Sequence, residues 1–191
     1  MLQEKDTKVI FGNKGGFAIA RLIFNSPHKK YHIRELSKET KASTTAITEG
    51  VNILEKYNII KIEKGKVTTD IQANIDSEAY RFYKLVFNLY RLNRYLIIEN
   101  IVKYFNNPEC IVLFGSFSKG EDMENSDIDI FILSSNKKPN SEEFNKFISI
   151  IEKEFNRKVN FTILKSINTS ENSFKNALAN GIVLYGYLKV I

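Results

Sequence analysis

The spacing of apolar residues changes character along the chain. Ile19, Leu22 and Ile23 stand at i, i+3 and i+4. That is one helix face, and it predicts a helix over 17–24 that Asn25-Ser26-Pro27 ends. Tyr31-His32-Ile33 reads as a short strand, and 34–40 as a second helix turning Ile33 and Leu36 toward a core. Lys41-Ala42 makes a tight turn. Ser43 is suited to cap a third helix that runs to about Tyr57, with Ile47, Val51 and Leu54 on one face. Period-2 alternation follows at Ile59-Ile60-Lys61-Ile62, then Glu63-Lys64-Gly65-Lys66, and Val67-Thr68-Thr69 returns. That pattern predicts a two-stranded hairpin with a basic tip.

Residues 76–105 read as one long helix, capped by Asp76 or Ser77 and broken near Asn88 or Asn93. Its aromatic and aliphatic residues are too many for a single surface stripe. Burial between two domains is one explanation; a homodimer interface is the favoured one. Asn106-Asn107-Pro108 marks a boundary, and beyond it strands and helices alternate. The expected organisation is α+β, in three parts: 1–75, 76–106 and 107–191.

Composition excludes some classes. Hydrophobic residues at 43% and charged residues at 26% are globular values, not those of a disordered chain. No apolar run approaches the ~20 residues of a membrane helix. The opening MLQEKDTKVIFGNKGG lacks the pattern of a secretory signal. Cys110 is the one cysteine, which rules out an internal disulfide framework and a cysteine-based zinc site. A cytoplasmic protein without a membrane partner is expected. His28 and His32 have no second ligand at metal spacing.

Net charge is +6, and its distribution is uneven. Residues 1–106 hold 18 Lys and Arg against 11 Asp and Glu; residues 107–191 hold 10 against 11. A basic first half suits a polyanionic partner.

The segment HIRELSKETKASTTAITEGVNILEKYNIIKIEKGKV resembles the winged helix-turn-helix family of DNA-binding domains. The resemblance implies that the third helix enters the major groove of double-stranded DNA with Ser43, Thr44, Thr45 and Thr48 leading and Asn52 behind. It implies phosphate contacts from Lys41, Lys64 and Lys66, the last two on the wing. No Arg stands in the first turns of that helix, so the commonest guanine contact is missing.

The second half carries a more specific pattern. A buried-strand run, Cys110-Ile111-Val112-Leu113-Phe114, meets Gly115-Ser116-Phe117-Ser118-Lys119-Gly120. A short polar stretch then leads to Ser126-Asp127-Ile128-Asp129-Ile130-Phe131-Ile132-Leu133. Asp127 and Asp129 are two apart on a strand, so both carboxylates point to one face. Their mutual repulsion is relieved by a divalent cation, and paired oxygen ligands suit Mg²⁺ bound to substrate phosphates. Gly115 allows the backbone to approach a phosphate.

GSFSKGEDMENSDIDIFIL resembles the nucleotidyltransferase superfamily typified by DNA polymerase beta, and its small minimal members in particular. The resemblance implies an open mixed sheet with flanking helices. Helices at 142–155 and 171–180 and strands at 159–165 and 182–187 fit it. It implies transfer of a nucleoside monophosphate from an NTP to a hydroxyl, with Gly115 and Ser116 on the triphosphate and Asp127 and Asp129 on Mg²⁺. Active members carry a third carboxylate on the next strand. Here Asn160 stands in its place, and no Asp follows Asp129. An amide can offer a carbonyl oxygen but cannot act as a base.

Three functions compete on these grounds. The first is a DNA-binding regulator whose second domain binds nucleotide with feeble or lost transfer. The second is a minimal nucleotidyltransferase that modifies a protein or RNA hydroxyl, as antitoxins that attach AMP to a toxin-like partner do. The third is a structural pseudoenzyme.

Overall fold

A computed structural model describes residues 14–65, 69–135, 142–168 and 170–188. Two compact units divide the chain, Met1–Lys84 and Leu85–Ile191.

The first unit opens with α1 (Lys14–Asn25), α2 (Ile33–Thr40) and α3 (Thr44–Lys56). Ser43 caps α3 as expected, its hydroxyl oxygen accepting from the Ala46 amide at 3.3 Å. Lys41 turns the chain between α2 and α3 with a left-handed φ of 58°. Ile19, Ile23, Leu36, Ile47, Val51 and Leu54 are all buried, so each helix contributes the apolar stripe its spacing announced. Helix α1 crosses α3 at Gly50, where an added Cβ would lie 2.9 Å from the Gly16 nitrogen.

An antiparallel pair follows, β1 (Ile60–Lys64) and β2 (Thr69–Ala73). The return strand includes the expected Thr69 and extends beyond it to Ala73, while Lys66, Val67 and Thr68 lie outside the described residues. The extension has a packing cause, because Ile71 and Ala73 are the buried positions of β2. The expected strand at Tyr31-His32-Ile33 reduces to one bridge between Tyr31 and Ile71, since Ile33 already starts α2. His32 lies beside it, its ring Nδ1 3.0 Å from the Thr69 carbonyl oxygen.

The expected long helix is two helices, α4 (Glu78–Arg94) and α5 (Ile97–Tyr104). The break falls just past Asn93, one of the two expected places, where α4 ends at Arg94 and Leu96 takes a left-handed φ of 50°. The boundary between the units falls inside α4. Leu92, Ile97, Ile101 and Phe105 pack into the core of the second unit together with Ile111, Leu113, Ile128 and Ile130. Burial in that core accounts for much of the apolar excess of 76–105.

The second unit is built on a mixed four-stranded sheet in the order β5-β4-β3-β6. Its strands are β3 (Cys110–Phe114), β4 (Ile128–Leu133), β5 (Val159–Leu164) and β6 (Ile182–Gly186). β3 runs antiparallel to β4 and β6, while β4 and β5 are parallel and joined through α6 (Glu142–Phe155). A parallel pair needs such a crossover. Alternation then sorts the two faces. Ile128, Ile130, Ile132, Val159 and Phe161 share a large apolar cluster with α5 and α6 residues. Phe131, Leu133 and Leu164 face the other way, in a smaller cluster with Phe174 and Leu178 of α7 (Asn172–Ala179). Cys110 is buried there, and burial pushes its thiol pKa up. Among the described residues no helix is long and apolar enough to cross a membrane.

Candidate active site

Strand parity places the polar residues. Asp127 and Asp129 precede Phe131 on the same face of β4, at the end where apolar side chains give way to carboxylates. β3 pairs Phe114 with Asp129, so Gly115 leaves the sheet beside the carboxylates. Gly115 has φ 73° and ψ −163°, a backbone region that only glycine tolerates well. A Cβ there would stand 2.6 Å from Asp129 Oδ2. The glycine is thus required twice, by conformation and by space.

Ser116 begins a single 3-10 turn, Ser116–Lys119. Its ends are tied down: Ser118 Oγ donates to the Gly115 carbonyl at 2.8 Å, and the Glu121 amide donates to the Ser116 carbonyl at 3.1 Å.

On β5, Asn160 pairs in register with Asp129. Asn160 Nδ2 donates to Asp127 Oδ2 and to Asp129 Oδ1, both at 3.1 Å. The structure therefore brings Gly115, Asp127, Asp129 and Asn160 together, with Ser116 next in the chain. No group of three or more His, Cys, Asp or Glu side chains that could hold a metal exists among the described residues. Two carboxylates and one amide remain, an oxygen set that fits one divalent cation once the amide presents Oδ1.

A pocket of about 470 Å³ opens beside Asp127, lined by Glu124, Ser126, Glu152, Arg157 and Lys158 among others. Lys158 stands two before Asn160, on the same strand face by alternation. Strand parity could have signalled it from the sequence.

Reasoning from sequence also missed Asp122 and Arg157. Their side chains are almost wholly buried, 1% and 3% exposed, and pair at 3.0 Å. Asn88 Nδ2 donates to Asp122 Oδ1 at 2.8 Å and to the Phe117 carbonyl at 3.1 Å. Arg157 also donates to the Ser126 carbonyl at 2.9 Å and to the Met123 carbonyl.

In the first unit, Lys41, Ser43, Thr44, Thr45, Thr48, Asn52 and Lys64 are all exposed, while Lys66 lies outside the described residues. Some of that polarity is used locally: Ser43 caps α3, and Thr48 Oγ1 donates to the Thr44 carbonyl at 2.9 Å. Part of the basic charge is also matched. Lys29 meets Glu39 at 2.8 Å and Glu35 at 3.0 Å, and Lys30 meets Glu63 at 2.8 Å.

Comparison with known proteins agrees with the geometry of the second unit. Residues 97–188 match the family model described as Polymerase beta, Nucleotidyltransferase. A stretch of 71 residues is 37% identical to a Methanocaldococcus jannaschii protein that bears the name "Putative protein adenylyltransferase"; it covers 37% of this chain and 71% of that protein. No solved structure matches the chain. The chain belongs to the polymerase beta-type nucleotidyltransferase family.

Proposed function

We propose that the second unit transfers an adenylyl group from ATP to a side-chain hydroxyl of a protein, at a rate held down by Asn160. The observation that supports this most is the close approach of Gly115 to Asp129, which leaves no room for a Cβ, together with the name of the archaeal relative. In this reading Gly115 and Ser116 receive the triphosphate, where a side chain on Gly115 would obstruct it. Asp127 and Asp129 would hold Mg²⁺, which when bound neutralises phosphate charge. The acceptor oxygen attacks the α-phosphorus, the bond to the bridging oxygen of the β-phosphate breaks, pyrophosphate leaves, and the acceptor proton passes to solvent. Asn160 cannot take that proton, and loss of a positioned base costs about 10²–10⁴-fold. Incubation with α-labelled ATP and Mg²⁺ tests the proposal. Label should enter a protein acceptor, such as a toxin-like partner, and Asp127→Asn should abolish it.

A second reading concerns the first unit. Three helices followed by an antiparallel pair, with an exposed Thr44-Thr45 surface opening α3, support a winged helix-turn-helix that binds double-stranded DNA. A homodimer through 76–105 would supply two-fold symmetry for a palindromic site. Phe82, Tyr90 and Leu96 are the exposed apolar side chains of that segment. Binding of promoter DNA that weakens steeply with salt tests this reading.

A further inference from the structure

The ion pair between Asp122 and Arg157 lies outside the carboxylate cluster, yet the hydrogen bonds it shares with Asn88 end one residue from Ser116 and one residue from Asp127. Asn88 holds the Phe117 carbonyl, one residue past Ser116. Arg157 holds the Ser126 carbonyl, one residue before Asp127. Arg157 itself stands two residues before β5 and three before Asn160. Asp122 joins the two holders, accepting from Asn88 on Oδ1 and from Arg157 on Oδ2. The chain Phe117–Asn88–Asp122–Arg157–Ser126 therefore spans the loop between the 3-10 turn and β4.

Stability alone is a poor reason for such a unit. A buried ion pair loses in desolvation much of what it gains in attraction, and well-packed apolar residues often replace one without loss. Apolar residues could not fix three backbone carbonyls, however. Catalytic geometry is sensitive on that scale, since a displacement of about 1 Å can cost on the order of 10²-fold.

We propose that Asp122 and Arg157, with Asn88, are positioning residues that set Ser116 and Asp127 at their working separation. This rests on the nucleotidyl-transfer reading above. The test uses the full chain with two variants: Asp122→Leu combined with Arg157→Met, and Arg157→Lys alone. The paired variant should keep its melting temperature within about 4 °C, the equivalent of roughly 1 kcal/mol at this size. Its kcat should fall about 10²-fold while KM for ATP moves less than about threefold. Arg157→Lys keeps the charge but loses the planar fork, so its kcat should fall about tenfold. A folded paired variant with kcat within about twofold of wild type would overturn the proposal. If the paired variant does not fold, an unchanged kcat in Arg157→Lys overturns it. Wild-type protein inert toward ATP defeats the transfer reading instead. Positioning is then read from amide hydrogen exchange. The Met123, Ser126 and Ile128 amides should exchange at least about tenfold faster in Arg157→Lys, with β3 unchanged. Unaltered exchange at those amides would overturn it.

Discussion

The Asn160 amide nitrogen lies 3.1 Å from carboxylate oxygens of both Asp127 and Asp129. A neutral donor thus bridges two like charges, where a third carboxylate would add to their repulsion. Replacing it with Asp should raise affinity for a divalent cation, because a third negative charge strengthens cation binding. Titration with Mn²⁺ should show at least about tenfold tighter binding in Asn160→Asp than in wild type. Equal affinity would mean that Asn160 does not border the cation site.

Gly115 supplies a second prediction. Gly115→Ala must place a methyl group 2.6 Å from Asp129 Oδ2 at φ 73°. The strain should cost about 1–3 kcal/mol and relax by displacing the carboxylate or the turn. ATP binding should therefore weaken far more than the melting temperature falls. Calorimetric titration beside a thermal melt checks this, and wild-type ATP affinity in the variant would contradict it.

Gly50 tests the packing of the first unit. Alanine is a better helix former by about 1 kcal/mol, but here its Cβ meets the backbone nitrogen of Gly16 at 2.9 Å. Overpacking costs about 1–3 kcal/mol and should win, because backbone cannot rotate away. Gly50→Ala should lower stability to denaturant, and a gain would refute the close crossing of α1 on α3.

Acid should loosen the salt links of the first unit in a defined direction. The Lys29 ammonium beside Glu35 holds that carboxyl below the usual carboxylate range. Its contribution is therefore present above the unfolded carboxyl pKa near ~4.3 and lost as pH falls through the folded value. Lys29→Met should be less stable than wild type at pH 7 by a small, salt-sensitive margin. That difference should close on acidification. A difference that persists at pH 2 would assign it to packing of the lysine stem instead.

The DNA reading yields a slope. Lys41 and Lys64 are exposed; if each neutralises a phosphate, removing both should flatten the plot of log K against log salt by about 1.8. Fluorescence anisotropy with promoter duplex measures it, and an unchanged slope would place the DNA elsewhere or remove it.

Much of the candidate site was legible because strands obey a period of two. Parity alone put Asp127 and Asp129 on one face; the family resemblance singled out Asn160 on the next strand, and the structure pairs it with Asp129. Ile71 and Ala73, the buried positions of β2, alternate in the same way, and that alternation would have carried the return strand on to Ala73. Other features leave no local trace. Asp122 sits among Glu121, Met123 and Glu124 and reads as a solvated loop residue. Its burial depends on Arg157 and Asn88, both far away in sequence. Leu96 is a good helix former, so its left-handed turn comes from the packing of Ile97 and Ile101 rather than from its own preference.

The central claim is that a nucleotidyl-transfer site is present and slowed by one residue. The most direct measurement compares initial rates of adenylyl transfer from α-labelled ATP for wild type, Asp127→Asn and Asn160→Asp. The account predicts no transfer with Asp127→Asn and a rate about 10²–10⁴-fold above wild type with Asn160→Asp. A rate for Asn160→Asp equal to that of wild type, with transfer surviving Asp127→Asn, would contradict it.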